Sequence, residues 1–234
     1  SCAYHQLDCV GVFRGLQGLI EGDFKDMGPR SVKNIINRGG TLLKSARSKE
    51  FRTAEGRRKA YDHLVKAGID ALVVIGGDGT FTGASVFMEE YDFPIVGIPG
   101  TIDNDINGTD FTVGYDTALN TVVEAIDKIR DTANSHNRLF LIEVMGRDAG
   151  DIALNAGIGA GAEEILIPEQ NLGRERLITS LKRSKKSGKS SSIVVVAEGD
   201  QSGKNIFELA DYVRENLDDY EVKVTVLGHI QRGG

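Results

Sequence analysis

Pro99 to Asp110, "PGTIDNDINGTD", sets Asp103, Asp105 and Asp110 beside Asn104 and Asn107 directly after the apolar run "FPIVGI". In an extended loop Thr101, Asp103 and Asp105 alternate, so their side chains share one side. This spacing suits the division of labour that phosphoryl transfer requires, with Asp103 as general base and Asp105 helping to hold a metal. A loop of Asx turns, with Asp and Asn bonded to their own backbone, covers Asn107-Gly108 well but leaves the density at 103–105 unexplained.

In "VVIGGDGTFTG" an apolar strand runs into Gly76, Gly77, Asp78 and Gly79, and a helix starts near Thr80. Backbone N–H groups at a helix N-terminus attract phosphate, and glycines let a ligand come close. Asp78 would repel that phosphate unless a hard cation such as Mg²⁺ lay between them. A tight strand-to-helix turn with no ligand uses the same residues, so the loop alone leaves both readings open.

Cations stand at other strand ends. Arg138 opens the run "RLFLIEVMGRDAGD" and Arg147 closes it, where a guanidinium can brace a phosphoryl group or pair with Asp148 or Asp151. Glu198 ends "VVVAEGD", while His229 and Arg232 end "VTVLGHIQRGG", a set able to hold sugar hydroxyls and phosphate. His229 alone reads equally as a structural histidine. Two glycine-rich stretches fail as nucleotide motifs. "SGKS" has Arg183 where a P-loop needs its opening Gly, and "GIGAGA" follows a helical pattern rather than a strand.

The elements that would position these residues alternate along the chain. Short β-branched runs such as "CVGVF", "ALVVIGG", "FPIVGIPG", "LFLIEVMG" and "SSIVVVAEG" are interleaved with "SVKNIIN" and with longer amphipathic stretches. The expected fold is α/β, with two Rossmann-like three-layer lobes, mostly parallel sheets and the active site in the cleft between them. A boundary near "TVGYD" gives lobes 1–114 and 115–234. "ALVVI" and "SIVVVA" are apolar throughout and are expected as central strands covered on both faces. Thr53 is expected to cap the helix carrying Tyr61 and Leu64, and Gly68 to end it.

The 234 residues carry 28 Lys and Arg against 34 Asp and Glu, a formal charge of -6, which gives no broad attraction to nucleic acid despite the local "RSKKSGK" run. Cys2 and Cys9 form no zinc-like array, no apolar run is long enough for a membrane span and no signal peptide is visible. A soluble protein of the reducing cytoplasm is expected. The chain lacks an initial Met and stops at "GHIQRGG", so both ends read as cut.

In order and spacing, "GGDGT", "PGTIDNDINGTD", "IEVMGRDAGD", "AEG" and "GHIQRGG" resemble the 6-phosphofructokinase family, as does "NRGGTLLKSARSKEFR" ahead of them. The likeness covers essentially the whole chain. "GGDGT" also occurs in NAD and diacylglycerol kinases, but that reading leaves "TIDND" and "GHIQRGG" without a role. The resemblance implies Mg²⁺-dependent phosphorylation of fructose 6-phosphate at its 1-hydroxyl, in glycolysis, by a cytoplasmic homo-oligomer, a tetramer in this family. It implies Asp103 as base, Arg147 as the stabiliser of the moving phosphoryl charge, Thr101 and Ile102 along the transfer path, and Asp78 with Asp105 on Mg²⁺. Arg47, Ser48 and Gly77, Asp78, Gly79 and Thr80 match the ATP positions. Met145, Gly146, Arg147, Glu198, His229 and Arg232 match the sugar-phosphate site, with Arg138 reaching it from a neighbouring subunit.

Pyrophosphate-using relatives generally carry Asp after "GGD" and Lys before "TIDND", where this chain has Gly79 and Gly100. Gly leaves room for the α-phosphate region of a nucleotide, so ATP is the expected donor. The alternatives are a pyrophosphate-dependent enzyme and a non-catalytic regulatory lobe of a duplicated phosphofructokinase. Retention of Asp103, Asp105 and Arg147 speaks against the last.

Three departures from the family pattern stand out. The opening strand with its "GGDxPGxN" loop is absent, and nothing follows "QRGG", so the segment alone is expected neither to fold stably nor to turn over. Lys223 replaces an arginine that bacterial relatives send to a neighbour's substrate phosphate, which keeps the charge but loses the fork. Arg130, Gly161, Glu163 and Lys189 match a bacterial site for ADP or phosphoenolpyruvate and form a candidate effector site.

Overall fold

The structure, a computed structural model, describes residues 1–133, 138–170, 173–188, 192–203, 205–218 and 220–233. Its contacts divide the chain into two compact units, Ser1–Gly100 and Thr101–Gly233. The stretch 101–114 makes its contacts in the second unit, where Ile102 packs on the core and Asn104 bonds Thr112.

In the first unit β1 (Val10–Val12) pairs antiparallel with β2 (Phe24–Asp26) across α1 (Gly15–Glu21). Helix α2 (Ala54–Lys66) precedes β3 (Leu72–Gly76), α3 (Asp78–Tyr91) and β4 (Ile95–Pro99), and β3 pairs parallel with β4 from Leu72↔Ile95 to Gly76↔Pro99. The Thr53 hydroxyl accepts from the Gly56 N–H at 3.1 Å and caps α2, and Gly68 follows it at φ 66°, as expected. Helix α2 buries Gly56, Ala60 and Leu64, one residue per turn, in a core with Leu19, Phe51 and Phe87. Both Arg57 N–H groups donate to Glu90 at 2.6 Å and tie α2 to α3.

Two expectations are corrected in this unit. "ALVVI" is not covered on both faces, since Val73 and Ile75 are 63% and 65% exposed and Val96 on β4 is 64% exposed. "SVKNIIN" contributes only a 3₁₀ turn, Pro29–Val32, and then runs as turns with Ile36 fully in solvent. Pro29 and Asn34, the latter at φ 60°, break the segment too closely for a longer element to form.

The second unit opens with α4 (Tyr115–Ala133) and continues with β5 (Arg138–Val144), α5 (Asp151–Gly159), β6 (Glu164–Leu166), α6 (Arg174–Lys186), β7 (Ser192–Ala197), α7 (Ile206–Asn216) and β8 (Glu221–Val226). The four strands form one parallel sheet in the order β6-β7-β5-β8. Alternation along the strands divides the side chains between two cores. Leu139, Leu141, Val194 and Val196 pack with α6 and α7, while Ile142, Val144, Ile193 and Val195 pack with α4 and α5. Every residue of β7 is buried, as "SIVVVA" leads one to expect of a central strand. Because β5, β7 and β8 are parallel, Met145, Glu198 and Leu227 leave the sheet at the same end. There Glu198 N–H donates to the Val144 carbonyl at 2.9 Å and Leu227 N–H to that of Glu143 at 3.0 Å.

Among the described residues no helix is long and apolar enough to cross a membrane. The end of "GIGAGA" is a helix terminus with Gly161 at φ 65°. In "SGKS", Gly188 sits at φ 86° after α6, while Lys189 and Ser190 lie outside the described residues.

Candidate active site

The acidic loop is held open by its middle asparagine. Asn104 takes φ 55°, a left-handed conformation that asparagine tolerates better than most residues. Its Oδ1 accepts from the buried Thr112 N–H at 3.0 Å and from the Thr112 hydroxyl at 3.3 Å, and its Nδ2 donates to the Asp110 carbonyl at 3.3 Å. Just before it, Asp103 N–H donates to the Thr101 hydroxyl at 3.2 Å. These bonds leave the Asp103 carboxylate free of its own loop. Its side chain is only 13% exposed, whereas Asp105 is open to solvent.

The loop after β5 supplies the facing charge. Arg147 takes φ 54° and Gly146 φ 144°, the latter a conformation that strains any residue with a side chain. Glu198 Oε1 accepts the Arg147 N–H at 2.7 Å and the Gly146 N–H at 3.3 Å, and Ala149 N–H returns to the Gly146 carbonyl at 2.9 Å. The Arg147 guanidinium, 61% exposed, stands 3.8 Å from Asp103 Oδ2. Gly199 lies directly beneath, where a β-carbon would fall well inside the contact distance of the Arg147 carbonyl oxygen.

Burial raises the Asp103 carboxyl above the usual aspartate range; Arg147 and Arg232 pull it down, and Asp105 and Glu198 add to the rise. A half-buried carboxylate whose affinity for a proton is raised, beside an exposed cation, is the arrangement a general base for a hydroxyl requires. Asp103, Arg147, Glu198 and Arg232 are thus brought together from four separate loops of the second unit. Met145 and Gly146 lie in the same turn, Thr101 and Ile102 lead into the acidic loop, and His229 is exposed on the 3₁₀ turn Gly228–Arg232.

Arg138 and Lys223 are not part of that grouping. Arg138 Nε donates to Glu221 at 2.8 Å, Lys223 Nζ lies 2.5 Å from the same carboxylate, and the two bonds bring Glu221 down to about 2. Strand β5 is seven residues long, so Arg138 at its start stands about 20 Å from the end where Arg147 lies. Arg130 donates to the Ala160 carbonyl at 2.5 Å and to that of Gly161 at 3.2 Å, and Glu163 accepts the Ile193 N–H at 2.6 Å. Lys189, the fourth member of the candidate effector site, lies outside the described residues.

In the first unit Gly77 precedes α3, and Asp78 is its first residue, exposed at the positive end of a fourteen-residue helix. Thr80 N–H donates to the Gly77 carbonyl at 2.9 Å. A β-carbon on Gly79 would meet open space, whereas one on Gly100 would come within 2.8 Å of the Ile75 methyl. A side chain at position 100 therefore needs Ile75 to move. The Ser48 hydroxyl donates to Gln17 at 2.7 Å and accepts from Phe51 N–H at 3.2 Å, and Arg47 is exposed beside it. Among the described residues no three His, Cys, Asp or Glu side chains gather into a metal cage. The carboxylates of Asp78, in the first unit, and Asp105, in the second, are both exposed.

Two residues of this site escape a reading of the sequence. Asn104 leaves a trace, since an Asn between two Asp residues is suited to a positive φ. Gln231 leaves none: it is 1% exposed, and its Oε1 accepts the Met145 N–H at 3.2 Å.

The family model described as phosphofructokinase matches residues 1–234. The chain is 53% identical over 234 residues to ATP-dependent 6-phosphofructokinase 2 of Bacteroides thetaiotaomicron, covering all of this chain and 72% of that one. It is 56% identical over 228 residues to ATP-dependent 6-phosphofructokinase 1 of Thermus thermophilus, covering 97% and 70%. Among solved structures, phosphofructokinase from Saccharomyces cerevisiae superposes with a TM-score of 0.91 at 39% identity, over 99% of this chain and 35% of that longer one.

Proposed function

Because the chain belongs to the phosphofructokinase family, we propose that it serves ATP-dependent phosphorylation of fructose 6-phosphate to fructose 1,6-bisphosphate, the glycolytic reaction. The observation that carries this reading is the shielded Asp103 carboxylate facing Arg147 at 3.8 Å, in a chain more than half identical to relatives named for that activity. Asp103 takes the proton of the 1-hydroxyl as that oxygen bonds the γ-phosphorus and the bond from this phosphorus to the β-γ bridging oxygen breaks to release ADP, while Arg147 turns from the carboxylate to the phosphoryl oxygens. Asp78 and Asp105 would each offer a carboxylate to the Mg²⁺ that accompanies the nucleotide, whose charge would offset that of the transferring phosphate. Nucleotide falls to the first lobe, with Arg47, Ser48 and Gly77 to Thr80, and sugar phosphate to the second; the contacts put the division between them after Gly100, ahead of the expected boundary at 114.

A coupled assay on the full-length protein, with fructose 6-phosphate and either donor, tests the assignment. Turnover with ATP and little with pyrophosphate is expected. No product with ATP, or a preference for pyrophosphate, would refute it. The free thiols of Cys2 and Cys9 are in keeping with a cytoplasmic setting.

The distance between Arg138 and Arg147 within one chain supports a homo-oligomer, a tetramer by family likeness, in which Arg138 and Lys223 reach a neighbour's sugar phosphate. Lys223→Arg then restores a two-pronged contact, and the KM for fructose 6-phosphate is expected to fall severalfold with kcat little changed; an unchanged KM would count against the contact. Arg130, Gly161 and Glu163 are the residues an effector site for ADP or phosphoenolpyruvate would use.

A further inference from the structure

Gln231 is buried to 1% exposure at the base of the turn that carries His229 and Arg232. Its two amide ends are both engaged. Oε1 accepts the Met145 N–H at 3.2 Å, and Nε2 donates to the Gly228 carbonyl at 2.9 Å. The opposite amide orientation would set donor against donor and acceptor against acceptor, so the two partners fix which way it points.

Met145 and Gly228 are the first residues of two separate turns. Met145 leads through Gly146 to Arg147, while Gly228, at φ 52°, leads to His229 and Arg232. Glu198 holds the first turn by the Gly146 and Arg147 N–H groups, but neither of those bonds reaches the second. Of the side-chain bonds to these turns named above, only that from the Met145 N–H to Gln231 Oε1 joins one to the other, while the Gly228 bond aims the side chain from within its own turn. A leucine would fill similar volume without the desolvation cost of a buried amide, so the choice of glutamine is accounted for by the register it imposes. Fully satisfied buried polar links of this kind rigidify what they join.

Resting on the function proposed above, we infer that Gln231 is a positioning residue that sets the turn of Arg147 against the turn of His229 and Arg232, and so tunes capture of the sugar phosphate without touching it.

Two variants of the full-length enzyme test this. Gln231→Leu removes both bonds and is expected to raise the KM for fructose 6-phosphate about tenfold, with the KM for ATP within about twofold of its starting value. Gln231→Glu keeps the acceptor but loses the donor once ionised. At about pH 8 it should fall between the unsubstituted enzyme and Gln231→Leu, because the ionised carboxylate still accepts from the Met145 N–H but faces the Gly228 carbonyl, and it should recover as pH falls toward about 6, where a buried carboxyl holds its proton and donates to Gly228 again. The unsubstituted enzyme, measured over the same range, provides the reference for that recovery. Unchanged fructose 6-phosphate KM in both variants, or fructose 6-phosphate and ATP constants rising together with a fall in melting temperature, would overturn the inference. If Gln231→Leu does not fold, absence of recovery in Gln231→Glu on acidification overturns it alone.

Amide exchange at Met145 needs no substrate and should quicken in Gln231→Leu. Failure of the unsubstituted enzyme to phosphorylate fructose 6-phosphate would sink the proposed function, whereas unchanged exchange at Met145 would sink the tie itself.

Discussion

Asp103→Asn is expected to lower kcat by about 10²- to 10⁴-fold while the KM for fructose 6-phosphate moves far less, because a proton acceptor acts in the transition state and not in binding. The pH course adds a second signature. The raised Asp103 carboxyl must be ionised to act, so the acid limb of kcat/KM, which reports the free enzyme, should lie above the pH at which an ordinary aspartate titrates, and the residual activity of Asp103→Asn should lack that limb. Stability should move the other way. The folded state binds this proton more tightly than the unfolded chain, so stability is lost as pH rises from the ordinary aspartate range through the raised value. Asparagine removes that loss. In urea titrations the variant should therefore be the more stable protein at neutral pH, and its advantage should vanish once both states of Asp103 are protonated. A less stable variant at neutral pH would show that Arg147 outweighs burial.

Gly199→Ala should cost about 10²-fold in kcat although position 199 bears no side chain at all. The new methyl would collide with the Arg147 carbonyl oxygen and press on the Asp148 Cα at 3.3 Å, and neither backbone segment yields as a side-chain tip would. Gly199 does not need a positive φ, so the variant isolates the close approach from conformational strain. Displacing the turn moves the Arg147 guanidinium off the Asp103 carboxylate, and overpacking adds about 1–3 kcal/mol of destabilisation. Gly28→Ala is the control, since a β-carbon there meets nothing within 4 Å. Equal kcat in Gly199→Ala and Gly28→Ala would mean that the turn has slack that the packing does not show.

The chemistry was more legible in the sequence than the framework. "SIVVVA" and "ALVVI" have the same apolar character, yet the first is buried throughout and the second leaves Val73 and Ile75 in solvent. Composition registers what a strand can bury, not whether other segments arrive to cover it. Helix α1 and strand β2 gave no usable signal, because "GLQGLIE" holds two glycines and "FKD" is three residues long. In the site, Asp103 and Arg147 stand out because charged residues at strand ends are unusual enough to notice. Asn104 and Gln231 act through backbone groups of distant residues, and such partners exist only once the chain has folded. Arg138 and Arg147 look alike as arginines flanking one apolar run, but the length of that run places them at opposite ends of a strand.

The division after Gly100 bears on how such enzymes diversify. Gly79 and Gly100, the positions at which the expectation of ATP as donor rests, sit in one unit, and Asp103, Arg147, Glu198 and Arg232 in the other. Mutational drift at the first pair can explore a new phosphate source while inheritance of the second set preserves the acceptor chemistry. Lineages could then exchange one energy currency for another by a few changes in a single module, and directed evolution of donor preference has a correspondingly small sequence space to search.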